Sequence, residues 1–345
     1  MATLTRFLTV LLVGLAAVAA LAVVGSLLLP GSAETERSVT VAAAPATVFT
    51  LLDGFTRFAE WSPSHDLDPA PVSTFDGPEH GVGAAIAWTG GLPPFGAGSQ
   101  RVLAAEPHHL LRIGYEFGGQ GTAEGTFLIV PERGRTRITW RLRTELGWNP
   151  ARRISGLAFD RAVGPFLEQG LANLKALAES LPGADWSQVQ IAVEELEPMV
   201  IAVTDGRAGP GPSAAAAALT EAYDRVLEFL GRSGIAPAGP PVAITRQWDA
   251  EDGWEFFAGI PITESPAVRP GREAPVRIGR TPEGRTVVAL HVGPYSGLEA
   301  TYDAVAAYMA VHALEAAGPR WEQYVSDPGT TPAAELVTRV CVPVR

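Results

Sequence analysis

Val200-Ile201-Ala202-Val203 and Val287-Val288-Ala289-Leu290 are two copies of one apolar strand, offset by 87 residues, and they decide how the second half of the chain is read. The strand ahead of each is copied at the same offset, Val189-Gln190-Ile191-Ala192 against Val276-Arg277-Ile278-Gly279. A helix is predicted after each copy, over Ser213–Leu230 with Tyr223-Asp224 and over Leu298–Ala317 with Tyr302-Asp303. Gly231 and Gly318 supply the stops, because glycine enters the left-handed backbone that ends a helix at little cost. Two strands follow in each copy, Val242–Trp248 with Trp254–Ile260 and Trp321–Val325 with Glu335–Val342. Each unit is a strand, a helix and two more strands. Two copies make a pseudo-twofold domain rather than a solenoid, which needs more repeats to bury its faces.

Within this half, Gly284-Arg285-Thr286-Val287-Val288-Ala289-Leu290-His291-Val292-Gly293-Pro294-Tyr295-Ser296-Gly297-Leu298 forms one block. Trp321-Glu322-Gln323-Tyr324, then Asp327-Pro328 and Glu335 before Val342-Pro343-Val344, forms a second. Together they resemble the GyrI-like small-molecule-binding domain, also found as the effector half of multidrug-responsive regulators and in SOUL-type haem-binding relatives. The resemblance covers nearly all of residues 186–345. It implies a groove where helices and sheet meet, with an acidic residue late in the domain facing it, and Glu322 is the matching position. A carboxylate desolvated among aromatic rings carries a large penalty that only a cation or hydrogen-bond donors offset. Aromatic faces add attraction for flat or cationic ligands. Tyr295, Trp254, Phe256 and Tyr324 are the candidate walls, although strand alternation keeps them from all facing inward. The alternatives are a solvated strand-edge charge for Glu322 and a turn aromatic for Tyr295. His291 lies in a predicted strand and is a weak haem-ligand candidate. No helix-turn-helix accompanies the domain, which argues against direct transcriptional control.

Residues 34–182 read differently. Arg37–Val41 is a strand, Pro45 opens a short helix with Val48, Phe49, Leu51 and Leu52 as its apolar positions, and Phe55–Trp61 gives a second helical turn. Proline suits a first helical turn because its missing N–H would be unpaired there. Six strand-like runs follow, near Asp68–Phe75, Gly83–Thr89, Gly98–Glu106, Leu110–Phe117, Gly121–Val130 and Thr136–Thr144, spaced as in an antiparallel meander. Pro150–Leu181 then reads as one long helix, with Val163, Leu167, Leu171, Leu174 and Leu181 on a single stripe. A twisted sheet cannot lie flush on a straight helix, so a cavity between them is natural.

Arg37-Ser38-Val39-Thr40-Val41, Ala44-Pro45, Val48-Phe49 and Phe55-Thr56-Arg57-Phe58-Ala59-Glu60-Trp61-Ser62-Pro63 resemble the opening of the SRPBCC (START-like, polyketide-cyclase-like) superfamily. Gly77-Pro78, Gly81-Val82-Gly83, Gly164-Pro165 and Gly170-Leu171-Ala172-Asn173-Leu174-Lys175 extend the likeness across the segment. It implies a helix-grip fold around a hydrophobic pocket, in a superfamily that binds lipids, sterols, polyketides and hormones. Trp61, Trp88 and Trp140 are candidates to line that cavity, with plain core as the alternative. The polar candidates His65, Asp66, Asp68, His80, His108 and His109 sit in Pro-rich loops or turns without metal-ligand spacing. Fold analogy alone supplies no reaction. The fold class is therefore α+β throughout: a helix-grip antiparallel sheet with a long C-terminal helix, then a duplicated βαββ domain.

Phe7–Leu29 is almost wholly apolar and uncharged, about the 20 residues that cross a bilayer. Arg6 precedes it while Glu34 and Glu36 follow, so residues 1–33 are expected to be a single-pass inner-membrane anchor with a cytoplasmic N-terminus and both domains periplasmic or extracytoplasmic. A cleaved signal peptide at Gly31-Ser32-Ala33 is the rival, but the run exceeds a signal core. The net charge of −11 and the lack of a basic block argue against nucleic acid. Arg133, Arg135, Arg137, Arg141 and Arg143 alternate as a solvated strand face does. The lone cysteine, Cys341, excludes an internal disulfide and a Cys-rich metal site. No cofactor or metal is implied, and no protein partner can be named.

Three functions stay open. The first is binding of small hydrophobic or amphipathic, including cationic, molecules by two tandem pockets. The second is a hydrolase of strained electrophilic compounds, with Glu322 as general base and Tyr295 or Tyr324 as donor. The third is a structural module of an envelope complex with collapsed cavities.

Overall fold

The computed structural model describes residues 12, 14, 23–63, 72–89, 96–118, 121–263 and 275–345. The chain divides into two compact units, Met1–Gly183 and Ala184–Arg345.

In the first unit, β1 (Ser32–Val41) leads into α1 (Pro45–Asp53) and α2 (Phe58–Trp61). Then come β2 (Val72–Asp76), β3 (Ala85–Thr89), β4 (Ala97–Glu106), β5 (Leu110–Glu116), β6 (Thr122–Glu132) and β7 (Arg135–Glu145). The seven strands form one antiparallel sheet in the order β1-β7-β6-β5-β4-β3-β2. Alternation makes the sheet one-sided. Val102, Ile113, Phe127, Ile129, Ile138 and Trp140 are buried. Arg137, Arg141 and Arg143 point to solvent and pair with Glu132, Glu36 and Glu145. The helix expected over Pro150–Leu181 is two helices, α3 (Pro150–Gly156) and α4 (Phe159–Ser180). Asn149 caps α3 by accepting from the Ala151 and Arg152 amides. The break falls just after Gly156, the residue type that leaves helical geometry most readily. Leu167, Leu171, Leu174 and Ala178 then form the buried stripe of α4.

The expected span over Phe7–Leu29, and with it the inner-membrane placement, is corrected here. Among the described residues no helix is long and apolar enough to cross a membrane. Much of that stretch lies outside the described residues, and so do His65, Asp66 and Asp68. The described residues just before Pro30 include a helical stretch over 23–27. Its trailing carbonyls are held by protein: Arg153 donates to Leu27 O at 2.7 Å and Leu29 O at 3.0 Å.

Burial pushes the Asp53 carboxyl, at the end of α1, up to about 6, against the opposing Gly81 amide. The folded state therefore keeps a proton that the unfolded chain releases near its ordinary value of 3.8. Stability falls as pH rises through that window, and the loss is complete above the folded value. Asp53→Asn should raise the urea midpoint of the first unit at about pH 7 and leave it unchanged near pH 4, which denaturation at the two pH values measures.

The second unit comprises β8 (Gln190–Leu196), β9 (Val200–Ala208), α5 (Pro212–Ser233), β10 (Val242–Asp249), β11 (Gly253–Pro261), β12 (Arg277–Arg280), β13 (Gly284–Val292), α6 (Leu298–Val311), β14 (Trp321–Tyr324) and β15 (Val337–Pro343). The predicted order holds, with two shifted helix ends. Helix α5 runs past Gly231 to a left-handed Gly234, and α6 stops at Val311, where Ala313 takes a positive φ of 52° well before Gly318.

The eight strands are ordered β12-β9-β11-β10-β14-β15-β13-β8. Each copy's leading strand has crossed to the far edge of the other copy: β8 pairs with β13 and β12 with β9. The links that carry this exchange meet, since the Thr281 amide donates to Met199 O at 3.0 Å and Thr281 Oγ1 accepts from the Met199 amide at 2.9 Å. Met199 and Leu196 pack against a core of Ile201, Val203, Val242, Ile244, Trp321 and Cys341. On the other face, α5 covers β9 and β11 while α6 covers β13. The central strands β10 and β14 lie between those two footprints.

Cys341 is fully buried in this core, and burial pushes its thiol up to about 12. A buried thiol without thiolate character is a poor nucleophile. In the native protein at about pH 8 it should resist iodoacetamide and become labelled on unfolding, as mass spectrometry would read.

Candidate functional site

The pairing of β10 with β14 sets Ala243 directly opposite Glu322 at the middle of the sheet. One position carries a carboxylate and the other a methyl group, so the small partner leaves space beside the acid. Trp321 and Gln323 point to the crossed-link face, and alternation sends Glu322 and Tyr324 to the helix face. Glu322 is only 8% exposed. Its Oε1 accepts from the Tyr302 hydroxyl at 2.7 Å and its Oε2 from the Tyr324 hydroxyl at 2.5 Å. No cation pairs with it among the described residues. Hydrogen bonds alone thus compensate a nearly buried acid.

Tyrosines from both copies surround it. Tyr223 comes from α5 and Tyr302 from α6, and the Tyr324 ring meets Tyr223 at 6.4 Å and Tyr295 at 5.5 Å, both edge to face. Burial first, and the Glu322 charge second, hold the Tyr223, Tyr302 and Tyr324 hydroxyls well above their ordinary pKa. They therefore remain donors across any physiological pH. Tyr223 Oη is buried without a hydrogen-bond partner among the described residues. All four tyrosines are half-buried as residues.

Tyr295 is delivered by a turn that His291 braces. One imidazole nitrogen, Nδ1, lies 2.8 Å from Thr301 Oγ1, and the other, Nε2, lies 3.0 Å from Pro294 O. Both nitrogens are occupied, which leaves His291 no lone pair for haem iron.

Glu322, Tyr295 and Tyr324 converge. Trp254 and Phe256 lie in the buried cluster on which Tyr223 and Tyr324 pack. Phe256 is 0% exposed, packed under α5 beside Ala222 and lying across Gly206, where a Cβ would come within 2.3 Å of the ring. The Trp254 ring lies 4.3 Å from it, tilted by 32°, and donates from Nε1 to Thr245 Oγ1 at 3.1 Å. Their place is the core that supports the site. Sequence reading missed Tyr223 and Tyr302 as site residues. Their shared Tyr-Asp position in the two copies was the available signal.

In the first unit, Trp61 and Trp140 come together. The Trp140 ring stacks on Phe127 at 4.8 Å and meets Trp61 at 6.2 Å, in a cluster on the inner face of the sheet. Trp61 Nε1 and Gln100 Oε1 are buried there without hydrogen-bond partners among the described residues. Trp88 lies on β3 across Gly98 of β4. An open furrow of about 800 Å³ occupies the opposite, solvent face, between residues such as Arg101, Leu103, Glu124 and Arg143. Its charges are satisfied by neighbours, as in the Arg101–Asp76 and Arg112–Glu124 pairs. His80 forms a bridge to Gly54, and His108 takes a positive φ of 62° in the turn before β5.

Residues 32–179 match the family described as polyketide cyclase / dehydrase and lipid transport, and residues 190–345 match the GyrI-like small molecule binding domain. The first unit is a polyketide-cyclase-type domain and the second a GyrI-like domain. The chain therefore carries two tandem small-molecule-binding domains. No curated protein matches it. Among solved structures, the EcmrR C-terminal domain is similar over 46% of this chain and 98% of its own, at 16% identity and a TM-score of 0.39. A hydrolase from Listeria innocua is similar over 45% of this chain and 92% of its own, at 16% identity and a TM-score of 0.34. EcmrR in its DNA complex matches 56% of this chain and 70% of its own, at 13% identity and a TM-score of 0.39.

Proposed function

We propose that the GyrI-like domain binds a flat, largely apolar organic cation, and that the polyketide-cyclase-type domain takes an apolar molecule carrying a polar group. The observation that carries the first half is Glu322: an acid 8% exposed, held by two tyrosine hydroxyls, with no cationic partner among the described residues. A buried carboxylate left at that stage of neutralisation gains most from a cation placed among aromatic faces. In the first domain, the Trp61 N–H and the Gln100 side-chain oxygen offer a donor and an acceptor inside an aromatic lining.

Fluorescence titration of the full chain tests the proposal. Rhodamine 123, a flat cation, should give a saturable anisotropy change, and Nile red should report the apolar site independently. Failure of both dyes to saturate overturns the reading.

A further inference from the structure

We infer that Arg320 is an anion-accepting arm beside Glu322, so that the GyrI-like site suits a zwitterionic aromatic molecule whose cation meets Glu322 and whose carboxylate meets Arg320. The inference rests on the cation reading above. Arg320 immediately precedes β14 and already belongs to its ladder, because its carbonyl accepts from the Thr245 amide at 2.9 Å. Alternation then places Arg320, Glu322 and Tyr324 on one face.

The guanidinium carbon lies 4.5 Å from the centre of the Tyr302 ring and 5.9 Å from that of Trp248. The same Tyr302 bonds Glu322 through its hydroxyl at 2.7 Å. One tyrosine side chain thus separates a cation from an acid, and the two do not pair with each other.

Other arginines of this domain spend their charge on carboxylates: Arg277 on Asp205, Arg339 on Glu194 and Arg345 on Glu315. Arg320, half-buried, has neither an ion pair nor a hydrogen-bond acceptor among the described residues. These ring contacts use none of the guanidinium N–H donors as hydrogen bonds, and a carboxylate can accept two of them in a bidentate fork. A ligand that is only a cation meets Glu322 but is repelled by Arg320. A zwitterion satisfies both.

Rhodamine 110 and its methyl ester, rhodamine 123, differ in whether the carboxylate is free. On the full chain, rhodamine 110 should bind about 10-fold tighter than the ester. Arg320→Met should abolish that preference by weakening rhodamine 110 about 10-fold, with the ester unchanged or tighter. Arg320→Lys, which keeps the charge and loses the fork, should fall between. Should Arg320→Met fail to fold, the wild-type preference and the Lys variant decide alone.

Equal affinity of the wild type for the two dyes, or equal loss of both in Arg320→Met, overturns the inference. Glu322→Gln separates it from the reading beneath it. If that variant loses both dyes while the wild type shows no preference, only the Arg320 arm falls. If it loses neither, the cation reading falls too, and this inference with it.

Discussion

Glu322→Gln should weaken rhodamine 123 binding by about 100-fold while leaving the unfolding midpoint of the GyrI-like domain unchanged or slightly raised. The substitution keeps the side chain's length and one acceptor oxygen but removes the charge. Truncating one partner of a buried, hydrogen-bonded charge pair costs about 2–5 kcal/mol of binding, and 100-fold lies inside that range. The free protein loses little, because the neutral amide no longer bears the desolvation penalty of a carboxylate that is 8% exposed. Anisotropy titration with thermal denaturation measures both quantities. The same variant separates binding from hydrolysis. If Glu322 were a general base, turnover would vanish with affinity largely intact; a collapse of affinity itself favours a binding protein. Unchanged affinity would remove Glu322 from the site altogether.

The second large effect concerns Phe256. Phe256→Ala should destabilise the GyrI-like domain by about 3–5 kcal/mol, the usual cost of emptying a fully buried aromatic position. The ring is 0% exposed and fills the space that Gly206 leaves by lacking a side chain, so β9 cannot relax into the hole without moving its backbone. Rhodamine 123 affinity, measured well below the variant's melting temperature, should change less than threefold, because Phe256 is fully buried in the cluster beneath α5 and backs Tyr223 and Tyr324 from behind rather than meeting a ligand. A large affinity loss with little loss of stability would return Phe256 to the pocket wall.

The two copies in the second half were legible because strand and helix periods repeat at a fixed offset, and the offset survives divergence of individual residues. The partners of the leading strands were not legible. An offset identifies copies but does not say which copy a strand joins, and β8 and β12 both crossed over. Glu322 was found through the resemblance of the Trp321-Glu322-Gln323-Tyr324 block to the GyrI-like domain. Tyr302 and Arg320 were harder, because β14 and α6 bring them together only through packing. The end of α6 was misplaced because Ala313, an ordinary helix former, adopts a left-handed backbone that its residue type does not announce. In the first half, Trp61 and Trp140 could be paired from the expected fold, whereas Trp88 on β3 was indistinguishable from them by composition.

The exchange of border strands also bears on how the polypeptide can mature. β13 and β8 join the rest of the sheet only through β15, which lies between β13 and β14. A nascent chain still lacking β15 can assemble β9, β10 and β11 and can pair β8 with β13, but it has no strand to join those two blocks into one sheet. The two copies are therefore expected to complete the Glu322 cleft together, once β15 joins β14 to β13.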